Sequence, residues 1–579
     1  MTEALSVDID SLVYRRRRGD ITAAKNVHFT VQQGEYILIT GPVGSGKSSL
    51  LYSLDGTIPQ LIPNSVLEGD VKVMGKSIKG IDVAEISRTI GLVLEDPDTQ
   101  LTQLTVEDDL AFGPSNMGLP PEELRERVEY VIKSTRLQGL EKRNPRSLSG
   151  GQKQAVAIGG VLSFLPAIVA LDEPISMLDP IGKINTLAVL KELNKQHGTT
   201  VIVSDSGMEI ESFADYVDRV MIMSQGELLK IGTPREILTD TELMKRGGLR
   251  LPQVTDLAIK LGVNGTSVPT TLSEAEKFAT SWLNGKKLTS SRQPAPRAQV
   301  NSEGTQAVVV KNLQHTYPGL EKGIEALRGV SFSIRKGELV ALIGQNGSGK
   351  STLSLHLVGI LKPTNRDALV EIDGLDTRKY SPKQLIEHVN YVYQNPDDQI
   401  FCEKVQEEIA FGLEHLGLPT EEVRRRTEEG LKIFGLEPLK DEYITHLDRG
   451  RRTYTAISSI MAMQPNILII DEPTTGLDEP DSLAVMRELR ALTAAGKTVI
   501  IITHNMNLAA VYADHIIVMH AGKVLLDGTP REVFSQSDVL SQSYITPPQI
   551  TQLAQKLGTY GVPSDVLTVD EMVNVMRGV

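Results

Sequence analysis

Residues 338–352 read "ELVALIGQNGSGKST". The opening positions form a short, mostly apolar run of the size expected for a buried strand. Gly344-x4-Gly349-Lys350-Ser351 follows, and the residues after it, "STLSLHL", permit a helix. Strand, glycine-rich loop and helix in that order make a P-loop. Its glycines let backbone N–H groups wrap phosphates, its lysine reaches the β and γ oxygens, and its hydroxyl holds Mg2+. The candidate nucleotide contacts are Gly344, Asn346, Gly347, Gly349, Lys350, Ser351 and Thr352, with Ser351 also a candidate metal ligand.

The same pattern stands at 35–49, "EYILITGPVGSGKSS", which adds Gly41, Gly44, Gly46, Lys47, Ser48 and Ser49, with Ser48 a second candidate metal ligand. Lys47 and Lys350 are offset by 303, as are Tyr14 and Tyr317. The offset is 299 for Glu95/Gln394, Leu148/Leu447, Asp172/Asp471 and Asp205/His504. It becomes 296 where "GTPREIL" (232–238) matches "GTPREVF" (528–534). The chain is therefore a tandem duplication.

A length of 579 residues exceeds one hydrophobic core and implies several domains. The net charge of −13 argues against non-specific nucleic-acid binding, which needs a basic face. One cysteine, Cys402, leaves no disulfide framework, iron–sulfur cluster or multi-thiolate zinc site, and suits a reducing cytosol. Its expected role is packing rather than reactive chemistry. The acidic opening "MTEALSVDID" is not expected to be a signal peptide, and no run approaches the roughly 20 apolar residues of a membrane span. Any membrane role is expected to come through a partner.

The expected organisation is an ATPase domain at 1–231 with an extension at 232–283, a flexible linker at 284–305, and a second domain at 306–527 with its extension at 528–579. Each extension holds an amphipathic helix, with Val254, Leu257, Ala258 and Leu261 on one stripe and Ile550, Leu553, Ala554 and Leu557 on the other. These stripes either pack on their own domains or pair with each other. A further helix in each extension is expected to open on the capping pairs Ser273/Glu276 and Thr568/Glu571.

Two more apolar runs end in paired carboxylates, "AIVALDEP" (167–174) and "ILIIDEP" (467–473). Asp172 and Asp471 suit a Mg2+ shell, while Glu173 and Glu472 suit polarisation of an attacking water. Between P-loop and carboxylates the first copy carries "LSGGQ" (148–152). Ser149, Gly150 and Gly151 are small residues ahead of a helix, so N–H groups and the helix dipole can approach a phosphate.

This motif resembles the signature of ABC-type ATPases, and the resemblance covers nearly the whole chain outside the linker. It implies an α/β fold of two P-loop domains, each with a parallel-sheet core, an antiparallel β lobe and a helical signature lobe, followed by a small helical extension. It also implies ATP and Mg2+ as cofactors, and domains that meet head to tail, so that each ATP lies between one P-loop and the other signature. The stretches "VYQNPDDQIF" (392–401), "VQEEIAFGLEHLGLP" (405–419), "VLEDPDTQL" (93–101) and "TVEDDLAFGPSNMGLP" (105–120) are similar to the ATPases of energy-coupling-factor (ECF) importers of vitamins or nickel and cobalt ions. That likeness implies two membrane partners, a coupling subunit and a small substrate-capturing subunit. It places the chain at the cytoplasmic face of the cell membrane.

On this reading one composite site joins the second P-loop to the first signature. It holds Lys350, Ser351, Gln394, Asp471, Glu472 and His504, with Ser149, Gly150, Gly151 and Gln152 opposite and Tyr317 against the adenine. Glu472 is the expected general base, His504 the γ-phosphate contact, and Gln394 a Mg2+ ligand and partner sensor. The other site is altered. Tyr14, Lys47, Ser48, Asp172 and Glu173 remain, but Glu95 replaces glutamine, Asp205 replaces the switch histidine, and the facing signature reads "HLDRGRR" (446–452). Carboxylates there would repel a γ-phosphate, whereas Arg449 and Arg451 supply compensating charge. The expectation is a binding site without switch geometry, either holding ATP or shut by arginine–carboxylate pairing; the alternative is neutral decay of a duplicated copy.

The run "RRRR" (15–18) could reach phosphate or acidic headgroups, or be a solvated loop. The rival functional readings are a soluble ABC ATPase acting on ribosomes or DNA, a scaffold with a vestigial nucleotide site, and the ATPase of another importer branch. The cargo is not written in this polypeptide.

Overall fold

The computed structural model describes residues 2–15, 19–176, 178–283, 305–318 and 323–578. The linker read at 284–305 lies outside them apart from its last residue, as does most of the arginine run at 15–18. The chain divides into two compact units, Met1–Ala275 and Glu276–Val579.

The first unit begins with an antiparallel sheet of β1 (Glu3–Tyr14), β2 (Ile21–Gln32), β4 (Ser65–Val73) and β5 (Lys76–Ser77), in the order β2-β1-β4-β5. Burial alternates along β1, with Leu5, Val7 and Ile9 inside, Ser6 half-buried and Asp8 and Asp10 exposed, as one wet face requires. The second sheet runs β10-β9-β3-β8-β7-β6, from β3 (Tyr36–Thr40), β6 (Ile90–Val93), β7 (Ile168–Leu171), β8 (Thr200–Asp205), β9 (Arg219–Ser224) and β10 (Glu227–Gly232). Its pairings are parallel except the β9–β10 edge. Here burial is continuous: all five β3 residues are buried. Tyr36 and Leu38 join one core, against the helical lobe, while Ile37 and Ile39 join a second. That lobe comprises α2 (Val106–Asn116), α3 (Pro121–Ser134) and α4 (Gly150–Leu162), and α1 (Lys47–Leu54) follows the P-loop.

The second unit repeats the design. Its antiparallel sheet is β12-β11-β14-β15, from β11 (Gln306–Tyr317), β12 (Ile324–Arg335), β14 (Leu369–Ile372) and β15 (Leu375–Asp376). Its main sheet is β16-β17-β18-β13-β19-β20, from β13 (Leu339–Gly344), β16 (Val389–Val392), β17 (Ile467–Asp471), β18 (Thr498–Ile502), β19 (His515–His520) and β20 (Lys523–Gly528). Leu339, Ala341 and Ile343 face one core and Val340 and Leu342 the other. Helix α7 (Lys350–Leu357) follows the P-loop, and α10 (Arg449–Ala462) stands where α4 does. Both units are α/β, with a parallel core, an antiparallel lobe and a helical lobe, as the sequence implied.

The extension helices α5 (Gln253–Lys260) and α11 (Gln549–Lys556) bury the expected stripes except for Leu261, which is half-buried at the C-cap of α5. Thr255 and Thr551 each donate from the hydroxyl, at 2.7 Å, to a backbone carbonyl 14 and 15 residues on. One capping reading is corrected. Thr568 caps α12 (Val569–Arg577) as expected, accepting from Glu571 N, but the matching helix spans Leu272–Leu283 and its cap is Thr271, accepting from Glu274 N. Ser273 and Glu276 already lie inside that helix, so their spacing is helical repetition and not a cap.

Candidate functional site

Gly41 has φ 151° and a Cβ there would sit 2.0 Å from Met223 O, so only glycine lets the loop pass β9. Gly344 repeats this against Met519 O. Gly46 and Gly349, both left-handed, open α1 and α7 with no side-chain cap, leaving first-turn N–H groups for an anion. Lys47 Nζ donates to Gly41 O and Pro42 O at 2.7 and 2.9 Å, and Lys350 Nζ to Gly344 O and Gln345 O at 2.7 and 2.8 Å. Both ammonium groups thus lie over their own loops. Tyr14 Oη meets Ser49 Oγ at 2.9 Å and Tyr317 Oη meets Thr352 Oγ1 at 3.3 Å, which puts each candidate adenine contact against its P-loop helix.

The carboxylates sit where β7 and β17 end. Glu173 and Glu472 have φ 43° and 48°, a left-handed conformation costly for a non-glycine residue. In the second unit the backbone N–H of His504 donates to Glu472 Oε2 at 3.3 Å, while His504 Nε2 stands 3.4 Å from Oε1 and 3.2 Å from Asn346 Oδ1. Base, switch histidine and P-loop are therefore in direct reach of one another. Gln394 is exposed just beyond β16, and Ser351 opens α7.

The first unit brings the matching positions together with a different charge pattern. Asp205 is buried, accepts from Gly207 N at 2.6 Å, and has its pKa pushed up to about 6, chiefly by burial and then by Glu209. Glu173 is pushed up to about 8 by burial, with Glu95, Asp205 and Asp172 adding to the rise and Lys47 opposing it. Four carboxylates share one lysine. Glu173 Oε2 is buried without a hydrogen-bond partner among the described residues.

At the signatures, Ser149 caps α4 in a reciprocal box: Gln152 N donates to Ser149 Oγ and Ser149 N to Gln152 Oε1. In "HLDRGRR" the cap survives in another form, with Asp448 Oδ1 accepting from Arg451 N at 2.8 Å. Arg452 bonds Asp397 at 2.7 Å just as Lys153 bonds Asp98 at 2.7 Å, so this arginine keeps a structural pair already present in the first copy. Arg449 packs on Gly476, where a Cβ would meet its Nε at 2.7 Å, and Arg451 lies 5.7 Å over the Tyr454 ring.

Two residues at the carboxylates were missed from sequence: Ser204, whose hydroxyl donates to Asp172 Oδ1 at 2.5 Å, and Tyr391, whose phenol donates to Asp471 Oδ2 at 2.6 Å. Neither belongs to a motif; only strand register brings them in. Burial, then Glu408, push the Cys402 thiol up to about 11, which fits packing and not thiolate chemistry.

A cleft of about 410 Å3 opens beside the loop after Glu95, lined by Arg88, Gln100, Leu101, Phe112 and Phe164. On the second unit Phe401 is 66% exposed. No helix among the described residues is long and apolar enough to cross a membrane.

The pattern of the ABC transporter family matches residues 24–176 and 327–475. A putative ABC transporter ATP-binding protein of Methanosarcina acetivorans is 37% identical, over 99% of this chain and 94% of its own. Another, TTE1589 of Caldanaerobacter subterraneus subsp. tengcongensis, is 37% identical over 98% of each. The structure of cbiO1 from Clostridium perfringens, described as part of the ABC transporter complex cbiONQ, is 35% identical, covering 43% of this chain and 99% of that one, with a TM-score of 0.37. With two P-loop units that repeat one sheet order, and family matches in both halves, the chain belongs to the ABC transporter family, as an ATP-binding protein that hydrolyses ATP coupled to transport.

Proposed function

We propose that this ATPase powers an ECF-type importer of a vitamin or transition-metal ion, working at the cytoplasmic membrane face beneath a membrane coupling subunit and a small substrate-capturing subunit. Its ATPase domains, 1–231 and 306–527, form an intramolecular pseudo-dimer around two composite sites, with the extensions 232–283 and 528–579 contributing to the domain contact. The "QNPD…AFG…GLP" stretches support the importer class, and the cleft beside Glu95 and the exposed Phe401 offer apolar seats for helices of the coupling subunit.

Mg2+ fits the donors present. Ser351 with Asp471 and Gln394, and Ser48 with Asp172, supply hard oxygen ligands, and among the described residues no cluster of three or more acidic, histidine or cysteine side chains forms a closed metal cage. One carboxylate and one hydroxyl, completed by nucleotide phosphates and water, is the usual Mg2+ shell. The bound ion would neutralise charge on the β and γ phosphates.

The asymmetry of the carboxylate sites carries the mechanistic reading. Glu472, held by His504 N–H and beside its imidazole, takes the proton of the attacking water, while Ser149, Gly150 and Gly151 donate to the γ-phosphate from the other domain. The first P-loop, facing Arg449 and Arg451, binds ATP without turning it over. ATP binding closes the pair, and hydrolysis at the second P-loop reopens it.

Cross-linking tests this geometry. In a Cys402→Ser chain also carrying Glu472→Gln, the pair Ser149→Cys and Asn346→Cys is expected to form an ATP-dependent intramolecular disulfide, seen as a gel shift. ATP binding without that shift would refute the composite site. Co-purification with a membrane coupling subunit tests the partner, and recovery on ribosomes or DNA instead would overturn the importer assignment.

A further inference from the structure

Tyr391 on β16 pairs in parallel register with Ile469 on β17. Registered neighbours project to one face, and Asp471, two residues beyond Ile469, shares that face. The advance along the strand is ~6.6 Å, a span that a tyrosine ring with its hydroxyl can bridge, and the phenol reaches Asp471 Oδ2 at 2.6 Å. Tyr393 packs edge-on against the Tyr391 ring, centroids 4.9 Å apart at 88°, which limits its rotation.

The first copy solves the same problem from the other side. Leu92, the counterpart of Tyr391, pairs with Ala170 and offers no donor. Ser204 on β8 supplies the bond to Asp172 instead, and its oxygen also accepts from Glu173 N at 2.9 Å. In the second unit the counterpart of Ser204, Thr503, accepts from Asn505 N at 3.0 Å.

We infer that Tyr391 is a positioning residue for the metal at the second P-loop: by holding Oδ2 of Asp471 it leaves Oδ1 for the Mg2+ shell and raises the affinity for Mg2+ beside bound ATP. This rests on the assignment of Asp471 to that shell. A carboxylate held by one oxygen loses less rotational freedom on binding a cation, and a hydrogen bond to a charged group is among the stronger ones. Leucine or phenylalanine would remove that hydrogen bond from Asp471.

The experiment uses the full chain in a Lys47→Ala background, which confines nucleotide binding to the second P-loop, and a fluorescent ATP analogue titrated with Mg2+ or with EDTA. Tyr391→Phe is expected to cut the Mg2+-dependent gain in affinity ~10-fold, with the EDTA affinity unchanged. Mn2+ paramagnetic resonance of the ATP complex should show the same loss of metal affinity. Tyr391→Leu, copying the first unit, should match the phenylalanine variant and serves if that chain is unstable. If Asp471→Asn abolishes the metal gain while Tyr391→Phe and Tyr391→Leu keep it whole, the positioning role is wrong. If Asp471→Asn leaves the gain intact, Asp471 is not a ligand, and the site assignment falls together with this inference.

Discussion

Replacing Glu472 by glutamine is expected to stop the enzyme, and the same change at Glu173 is expected to be nearly silent. The two residues share a strand end and a left-handed backbone, with φ 48° and 43°. Their surroundings differ. Glu472 has the His504 N–H at 3.3 Å and the imidazole at 3.4 Å, so its carboxylate is held in one orientation beside the P-loop. Glu173 has three carboxylates around it, and its pKa is pushed up to about 8 by burial first. A general base contributes roughly 100- to 10,000-fold to a rate. Glu472→Gln should therefore lower phosphate release at pH 7 by at least ~100-fold. Glu173→Gln should leave it nearly unchanged, because the first P-loop is read as binding ATP without turning it over. The assay is phosphate release at saturating ATP and Mg2+, with equilibrium nucleotide binding as the control. Loss of activity in Glu173→Gln with retention in Glu472→Gln would invert the assignment of the two sites.

Two further outcomes can be checked on the same chain. Asp448 caps α10 with its carboxylate, so thermal unfolding of Asp448→Ser should stay within about 0.5 kcal/mol of the parent while Asp448→Ala loses about 1 kcal/mol; equal losses would mean the carboxylate is needed for more than capping. His515 is buried, which opposes its charge, yet Asp527 and Glu338 outweigh that and push its pKa up to about 9. A raised histidine pKa stabilises the fold fully below the unfolded value near 6.5, and the contribution fades as pH climbs to about 9. The counterpart in the first unit is Arg219, paired with Glu35. Unfolding of the second unit should weaken from pH 6.5 to 9, and His515→Arg should flatten that slope; an unchanged slope would remove His515 as its source.

The duplication, the α/β class and the nucleotide loops were open to reading from sequence because their chemistry is local. A phosphate cradle needs glycines, lysine and hydroxyl within one loop, and Gly41 shows why: the backbone of Met223 lies 2.0 Å from where any Cβ would be. Continuous burial on β3 and alternating burial on β1 likewise follow from the residues themselves. The first extension shows the limit of local reading, since Thr271/Glu274 and Ser273/Glu276 both fit the capping spacing and only the helix start separates them. What tertiary structure decided is who touches the carboxylates. Tyr391 and Asp471 are 80 residues apart, Ser204 and Asp172 are 32 apart, and Arg452 and Asp397 are 55 apart. Those contacts depend on strand order and register, in which adjacent strands are distant in the chain, so no spacing in the sequence announces them. The arginines of "HLDRGRR" divide on the same ground: folding gives Arg452 an inherited partner, whereas Arg449 and Arg451, with Asp448, are changes that distinguish this signature from its copy.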